Sequence, residues 1–122
     1  MSENRRAYGA YGENIAADFL TKNGYTVLAR NFTVRGGELD IVALSGDFLC
    51  FVEVKTRRNT HGGAASEAVD EQKRRRLLCA AERFLYEYRD DLRVRDKAVR
   101  FDVVEVYTQS RTLRHIKNIE MN

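Results

Sequence analysis

Two β-rich runs, Glu38 to Leu44 (ELDIVAL) and Phe48 to Lys55 (FLCFVEVK), separated only by Ser45-Gly46-Asp47, constrain this chain more than any other feature. Gly-Asp is a tight-hairpin dipeptide, so the runs are expected to pair antiparallel. Most of their positions are apolar on both faces, the pattern of central strands covered by a helix on each side. A polar side chain inside such a pair is costly unless something compensates it.

The flanking segments supply the covering helices. Tyr8, Tyr11, Ile15, Ala16, Phe19 and Leu20 recur at helical spacing, and Lys22-Asn23-Gly24 gives a basic last turn with a glycine stop, which predicts a first helix over 6–22. Tyr25 to Phe32 reads as a short strand broken by Gly36-Gly37. Asn59 to Ala65 reads as a loop, after which Ser66 is expected to N-cap a long helix with Glu67, Asp70 and Glu71 in its first turns. Val69, Leu77, Leu78, Ala81, Phe84, Leu85 and Tyr88 mark the buried face of that helix. A charged loop over 90–97 precedes a strand from Val99 to Tyr107, and a turn at Gln109-Ser110 leads to a weaker edge strand, Leu113 to Ile119. The order α-β-β-β-α-β-β implies an α/β fold, a mixed sheet with helices on both faces.

A chain of 122 residues suits one domain spanning residues 1–122, since compact domains usually run to roughly 100–150 residues. With 43% apolar and 32% charged residues, the composition is that of a globular chain, not a disordered one. No apolar stretch matches a signal peptide or a membrane span, which points to a cytoplasmic protein with no membrane partner. Cys50 and Cys79 both fall in apolar patterns without metal-ligand spacing and are read as buried free thiols. The net charge of +3 is unevenly spread: residues 1–52 carry five basic and six acidic side chains, residues 53–122 sixteen and twelve. The basic excess concentrates in Lys55-Thr56-Arg57-Arg58 and Lys73-Arg74-Arg75-Arg76, a solvated helix face or a phosphate track.

With Gly46-Asp47 as the turn, Ser45 pairs with Phe48, and stepping outward brings Asp40 opposite Glu53 on one sheet face, with Lys55 projecting to that face too. Like charges so placed destabilise a sheet. The counter-charge is either a divalent cation, which takes carboxylates, carbonyls and water, or an ion-pair cluster with Lys55, Arg57 or Arg35. Glu13 falls on or near the sheet-facing side of the first helix, as a border glutamate or as a third acid aimed at the other two.

Gly37-Glu38-Leu39-Asp40 followed by Phe51-Val52-Glu53-Val54-Lys55-Thr56-Arg57 has the Asp…Glu-x-Lys arrangement of the PD-(D/E)XK, or restriction-endonuclease-like, superfamily. Together with Tyr11-Gly12-Glu13, Ala16-Ala17, Arg30-Asn31-Phe32, Glu67-Ala68-Val69, Lys73 and Arg100 to Val104, the chain resembles the small bacterial YraN family over nearly its whole length. That family is similar to archaeal Holliday-junction resolvases. The superfamily's proline before the aspartate is absent, with Leu39 in its place. The resemblance implies a restriction-endonuclease-like fold in which Asp40 and Glu53 bind metal, Lys55 is the catalytic lysine and Glu13 adds an acid from the first helix.

The chemistry so implied is phosphodiester hydrolysis with Mg²⁺ or Mn²⁺ held by Asp40, Glu53, the Val54 backbone carbonyl and Glu13. Lys55 would orient the attacking water or neutralise developing charge, with a lowered pKa if it acts as a base. Arg35, Arg57, Arg58 and Lys73 through Arg76 would contact nucleic acid, most simply DNA, through its backbone. Tyr8 and Tyr11 are read as core residues, with stacking on an unpaired base as the alternative. A metal-dependent nuclease acting on branched or single-stranded DNA is thus set against two other readings: a catalytically silent nucleic-acid binder or scaffold, and a structural ion-pair cluster. A homodimer is plausible, because one module cuts one strand at a time.

Overall fold

The central hairpin forms as its turn dictates: β2 (Gly37–Ser45) and β3 (Phe48–Arg57) pair antiparallel from Ser45↔Phe48 to Ile41↔Val52, with Gly46 at φ +55 in the turn. In the computed structural model, which describes residues 2–59 and 70–121 and the side chains from Arg6 onward, this pair lies in a sheet of five strands. The other strands are β1 (Thr26–Val34), β4 (Ala98–Tyr107) and β5 (Thr112–Ile116), in spatial order β1-β2-β3-β4-β5. Only β3 and β4 run parallel, so the chain between them crosses a face of the sheet. That crossover carries α2 (Glu71–Glu87), and α1 (Ser2–Lys22) precedes β1. The element order is the one expected, α-β-β-β-α-β-β.

Each helix covers one face. Leu77, Ala80, Ala81 and Phe84 of α2 pack on Leu39, Val42, Leu49, Phe51 and Val103, while Ala16 and Leu20 of α1 pack on Ile41, Ala43, Cys50, Val52 and Val104. α1 stops where Gly24 turns left-handed at φ +88: Tyr25 N–H returns to the Leu20 carbonyl at 2.9 Å and Gly24 N–H to Thr21 at 3.2 Å. These are the two bonds of a Schellman cap, and they drop Tyr25 into the core beside Leu20.

Several expectations are corrected. α2 begins later than Ser66 would start it. Asp70 is its N-cap, accepting from Lys73 N–H at 2.8 Å, because a short carboxylate caps as well as a serine and adds charge at the positive helix end. The expected loop beyond Asn59, Ser66 with its cap, Glu67 and Val69 lie outside the described residues. α1 begins at Ser2 rather than near residue 6. Tyr8 and Tyr11 are 41% and 50% exposed, not core: they stand over the joined ends of β4 and β5, Tyr8 beside Thr108 and Tyr11 at a hollow with Val106 and Leu113. Cys50 is buried as expected, but Cys79 is exposed on α2, its thiol donating to the Arg35 carbonyl at 3.6 Å.

Candidate functional site

The site is made where the pleat of β1 and β2 slips. Ile41 packs under α1, yet Leu39, two residues away, packs under α2, so alternation fails at Asp40. The neighbouring strand does the same: Arg30 reaches Asn14 of α1 at 2.7 Å, while the Phe32 ring meets Phe84 of α2 with centroids 5.2 Å apart. Between them Asn31 has φ +53, a left-handed conformation that asparagine tolerates better than most residues. The β2–β3 ladder ends at Ile41↔Val52, and Asp40 turns its side chain to the next backbone group, Oδ2 accepting Val54 N–H at 2.8 Å. Such irregularities commonly re-aim a side chain.

On β3 the alternation holds and sends Glu53 and Lys55 to the α2 side. Glu53 is buried, and its Oε1 accepts from Lys73 Nζ at 2.9 Å. Its other oxygen, Oε2, is buried without a hydrogen-bond partner. α1 contributes Glu13 because Gly12 lets the helix sit directly on Thr56 of β3; a Cβ at Gly12 would collide with the Thr56 side chain. Glu13, Asp40, Glu53, Val54, Lys55, Thr56 and Lys73, with Tyr8 and Gly9, line one open cleft of about 300 Å³. An adjoining hollow of about 280 Å³ shares Glu53, Lys55 and Lys73 and adds Asp70, Gln72 and Arg76, extending the cleft along the start of α2.

The electrostatics follow from burial. Desolvation, then the Asp40 charge, push the Glu53 carboxyl up to about 8 despite Lys73. Asp40 is raised chiefly by burial, against the pull of the Val54 N–H and Lys73. Glu13 is raised by burial and by Asp40, with Arg30 and Asn31 opposing. Burial works against the Lys73 ammonium, but Glu53, Asp40 and Glu38 outweigh it and hold the lysine charged. Two carboxyls without a full counter-charge therefore face one another within hydrogen-bond reach: a proton kept by Glu53 is shared with Asp40, and with both groups ionised the buried Glu53 Oε2 has no donor to bind.

That donor set fits a hard divalent ion. Mg²⁺ takes one or two carboxylates and completes its shell with water and phosphate oxygens, and the orphaned Glu53 Oε2 is a ligand atom to spare. Glu13 lines the cleft without closing on the pair: among the described residues, no three carboxylate, imidazole or thiol side chains stand close enough to ligate an ion by themselves.

The basic residues divide. Arg58, Arg75 and Arg76 are exposed, and Arg76 borders the cleft. Arg74 is half-buried, with its Nε lacking a partner among the described residues. Arg57 is bonded to the buried Glu105 through Nε at 2.8 Å. Arg35 lines a different hollow, about 640 Å³, with Cys79, Glu82 and Tyr86, and does not reach the carboxylates. The counter-charge for the acids is Lys73 rather than Lys55, Arg57 or Arg35. The signal was in the spacing, since Lys73 stands four and seven residues before Leu77 and Ala80 on the buried face of α2.

Residues 12–106, which carry every one of these cleft side chains except Tyr8 and Gly9, match the model of "Uncharacterised protein family UPF0102". The chain belongs to the UPF0102 family. UPF0102 proteins of Dictyoglomus thermophilum and Caldicellulosiruptor saccharolyticus are similar to it at 41% identity over 103 residues and 45% over 104, covering 84% and 85% of each chain. A Pseudomonas aeruginosa UPF0102 protein is 42% identical over 106 residues, 87% of this chain and 82% of its own. The YraN resemblance points to this same family. In this UPF0102 member no helix among the described residues is long and apolar enough to cross a membrane.

Proposed function

We propose that this UPF0102 protein is a divalent-metal-dependent nuclease hydrolysing phosphodiester bonds in branched or single-stranded DNA, selecting structure rather than sequence. The observation that carries the reading is the convergence of Glu13, Asp40, Glu53 and Lys55 on one open cleft, with a buried carboxylate oxygen left unsatisfied. A protein that only bound phosphates would gain nothing from acids where phosphates must approach.

Asp40 and Glu53 would hold the ion with the Val54 carbonyl, and Glu13 would reach it through water. Bound there, Mg²⁺ or Mn²⁺ would polarise the phosphate and acidify a water. Lys55, exposed at the cleft, orients the attacking water and neutralises charge growing on the phosphate oxygens. Lys73 fixes the Glu53 rotamer through Oε1 and leaves Oε2 directed for ligation. Arg58, Arg75 and Arg76 give salt-dependent backbone contacts that carry no sequence information. A homodimer would present two such clefts to a two-fold branch point.

The test is incubation with junction, flap, single-stranded and duplex DNA in Mg²⁺ or Mn²⁺, with Asp40→Asn and Lys55→Ala alongside. Cleavage of the branched and single-stranded substrates is expected, falling roughly 100-fold or more in each variant. The same ions should raise the thermal midpoint of the wild-type chain and not that of Asp40→Asn. Cleavage surviving both substitutions removes the site assignment, and DNA binding without cleavage by any form favours a silent scaffold.

A further inference from the structure

Beside the cleft lies a second, more enclosed hollow that the hydrolytic reading does not use. It holds about 200 Å³ between α1 and the turn joining β4 to β5, walled by Tyr11, Ile15, Val106, Tyr107 and Leu113. Thr108, Arg111 and Thr112 complete its polar rim. We infer that this slot receives an unpaired nucleobase of the strand whose phosphate occupies the cleft, stacking it against Tyr11. The inference rests on the nuclease reading for the strand's position, though not for the slot itself.

Three observations support that occupant. Tyr8 is the partition between the two hollows: it lines the cleft, and its hydroxyl lies 3.2 Å from Thr108 Oγ1 on the slot's rim. Tyr11 follows it by three residues, about 4.5 Å along the helix, close to the roughly 3.4 Å per nucleotide of a stacked strand. A strand crossing Tyr8 therefore delivers a base to Tyr11. Tyr11, half exposed, leaves an aromatic face open to a ligand.

The charge fits a polyanion. Arg111 is exposed in the turn at φ +57, an unusual backbone for an arginine, and forms no ion pair among the described residues. Its guanidinium at the rim suits the phosphate beside a stacked base. A paired base is already stacked within its duplex and cannot enter, so the slot would make the enzyme select single-stranded or frayed substrate.

The chain contains no tryptophan, so Tyr11→Trp places one reporter in the slot. It is titrated in EDTA with oligothymidylate of about ten nucleotides, with the same strand carrying abasic sites, and with blunt duplex. Quenching by the base-bearing strand alone is expected. Tyr11→Ala should weaken single-strand binding roughly 5- to 100-fold, Tyr11→Phe should restore it, and duplex affinity should hardly change. Equal quenching by the abasic strand, or single-strand affinity unchanged in Tyr11→Ala, overturns the slot. If Tyr11→Trp is quenched by the base-bearing strand but the wild type cuts no DNA in Mg²⁺ or Mn²⁺, the nuclease reading falls and the slot stands. If it cuts while Tyr11→Ala behaves as wild type, the slot alone falls. An unchanged melting midpoint, expected for so exposed a residue, shows that Tyr11→Ala is folded.

Discussion

Glu53 carries opposite obligations on its two oxygens. Oε1 is held by Lys73 at 2.9 Å, while Oε2 is buried with no partner, and the neighbouring Asp40 raises the cost of ionising it. A lone partner removed from a buried ion pair usually costs about 3–5 kcal/mol, because a bare charge is left behind. Here Glu53 can escape by taking a proton, since its pKa already stands at about 8. Lys73→Met should therefore cost only about 1–2 kcal/mol at neutral pH, and that cost should grow as the medium becomes more alkaline and the proton is lost. Denaturant midpoints of the variant on either side of about pH 8 check this. A cost that ignores pH would mean that Lys73 acts by packing its stem rather than by its charge.

At the scale of elements, the site depends on two close helix–sheet approaches, each at a glycine. A Cβ at Gly12 would run into the Thr56 side chain, and one at Gly37 into the Arg76 backbone carbonyl. Gly12→Ala should lift α1, withdraw Glu13 from the cleft and cost about 1–3 kcal/mol, as overpacking does. Thr56→Ala should recover much of that loss, since the obstacle is a side chain. Gly37→Ala should cost more and find no such rescue, because the obstacle there is the backbone of α2. Melting midpoints of the three single variants and the Gly12→Ala/Thr56→Ala pair decide it. What was legible in the sequence follows the same division. The hairpin, its turn and its register as far as Ile41↔Val52 are local consequences of Gly46-Asp47 and could be read directly; Asp40 and Glu53 do share the cleft, although the ladder stops one pair short of them. The slip at Asn31 and Asp40 could not, because it needs a left-handed residue in one strand opposite an unpaired acid in the next. Helical periodicity placed Ala16 and Leu20 correctly but extended the same stripe to Tyr8 and Tyr11, as spacing does not record that these two stand over the joined ends of β4 and β5. Lys73 was counted with a basic run, although its heptad position already put it beneath the helix.

Over the whole molecule, two charge clusters have opposite thermodynamic sense. At the cleft, Glu53 and Asp40 of the sheet and Glu13 of α1 are all raised, chiefly by burial. On the α1 side, burial opposes the Asp102 charge but is outweighed: His115 Nε2 lies 2.8 Å away, Arg100 grips both oxygens at 2.9 Å, and Asn118 N–H donates at 2.9 Å, so its carboxyl is lowered. Linkage assigns each cluster one limb of the pH profile. A lowered carboxyl such as Asp102 contributes stability that is present above the ordinary aspartate range and lost as pH falls through its folded value. A raised carboxyl such as Glu53 contributes stability that is complete below the ordinary glutamate range and gone once pH passes about 8. In EDTA the melting midpoint should thus fall on both the acid and the alkaline sides. Glu53→Gln should flatten the alkaline limb and raise the midpoint near pH 8, leaving the acid limb unchanged. Asp102→Asn should lower the midpoint at neutral pH and flatten the acid limb instead. Glu53 and Asp102 sit on opposite faces with the packed sheet between them, so the two effects should add in the double variant. An alkaline limb that persists in Glu53→Gln would transfer that limb to Asp40 and Glu13. A divalent ion bound to Asp40 and Glu53 should abolish the same limb in the wild-type chain, because it supplies the counter-charge that Lys73 only half provides.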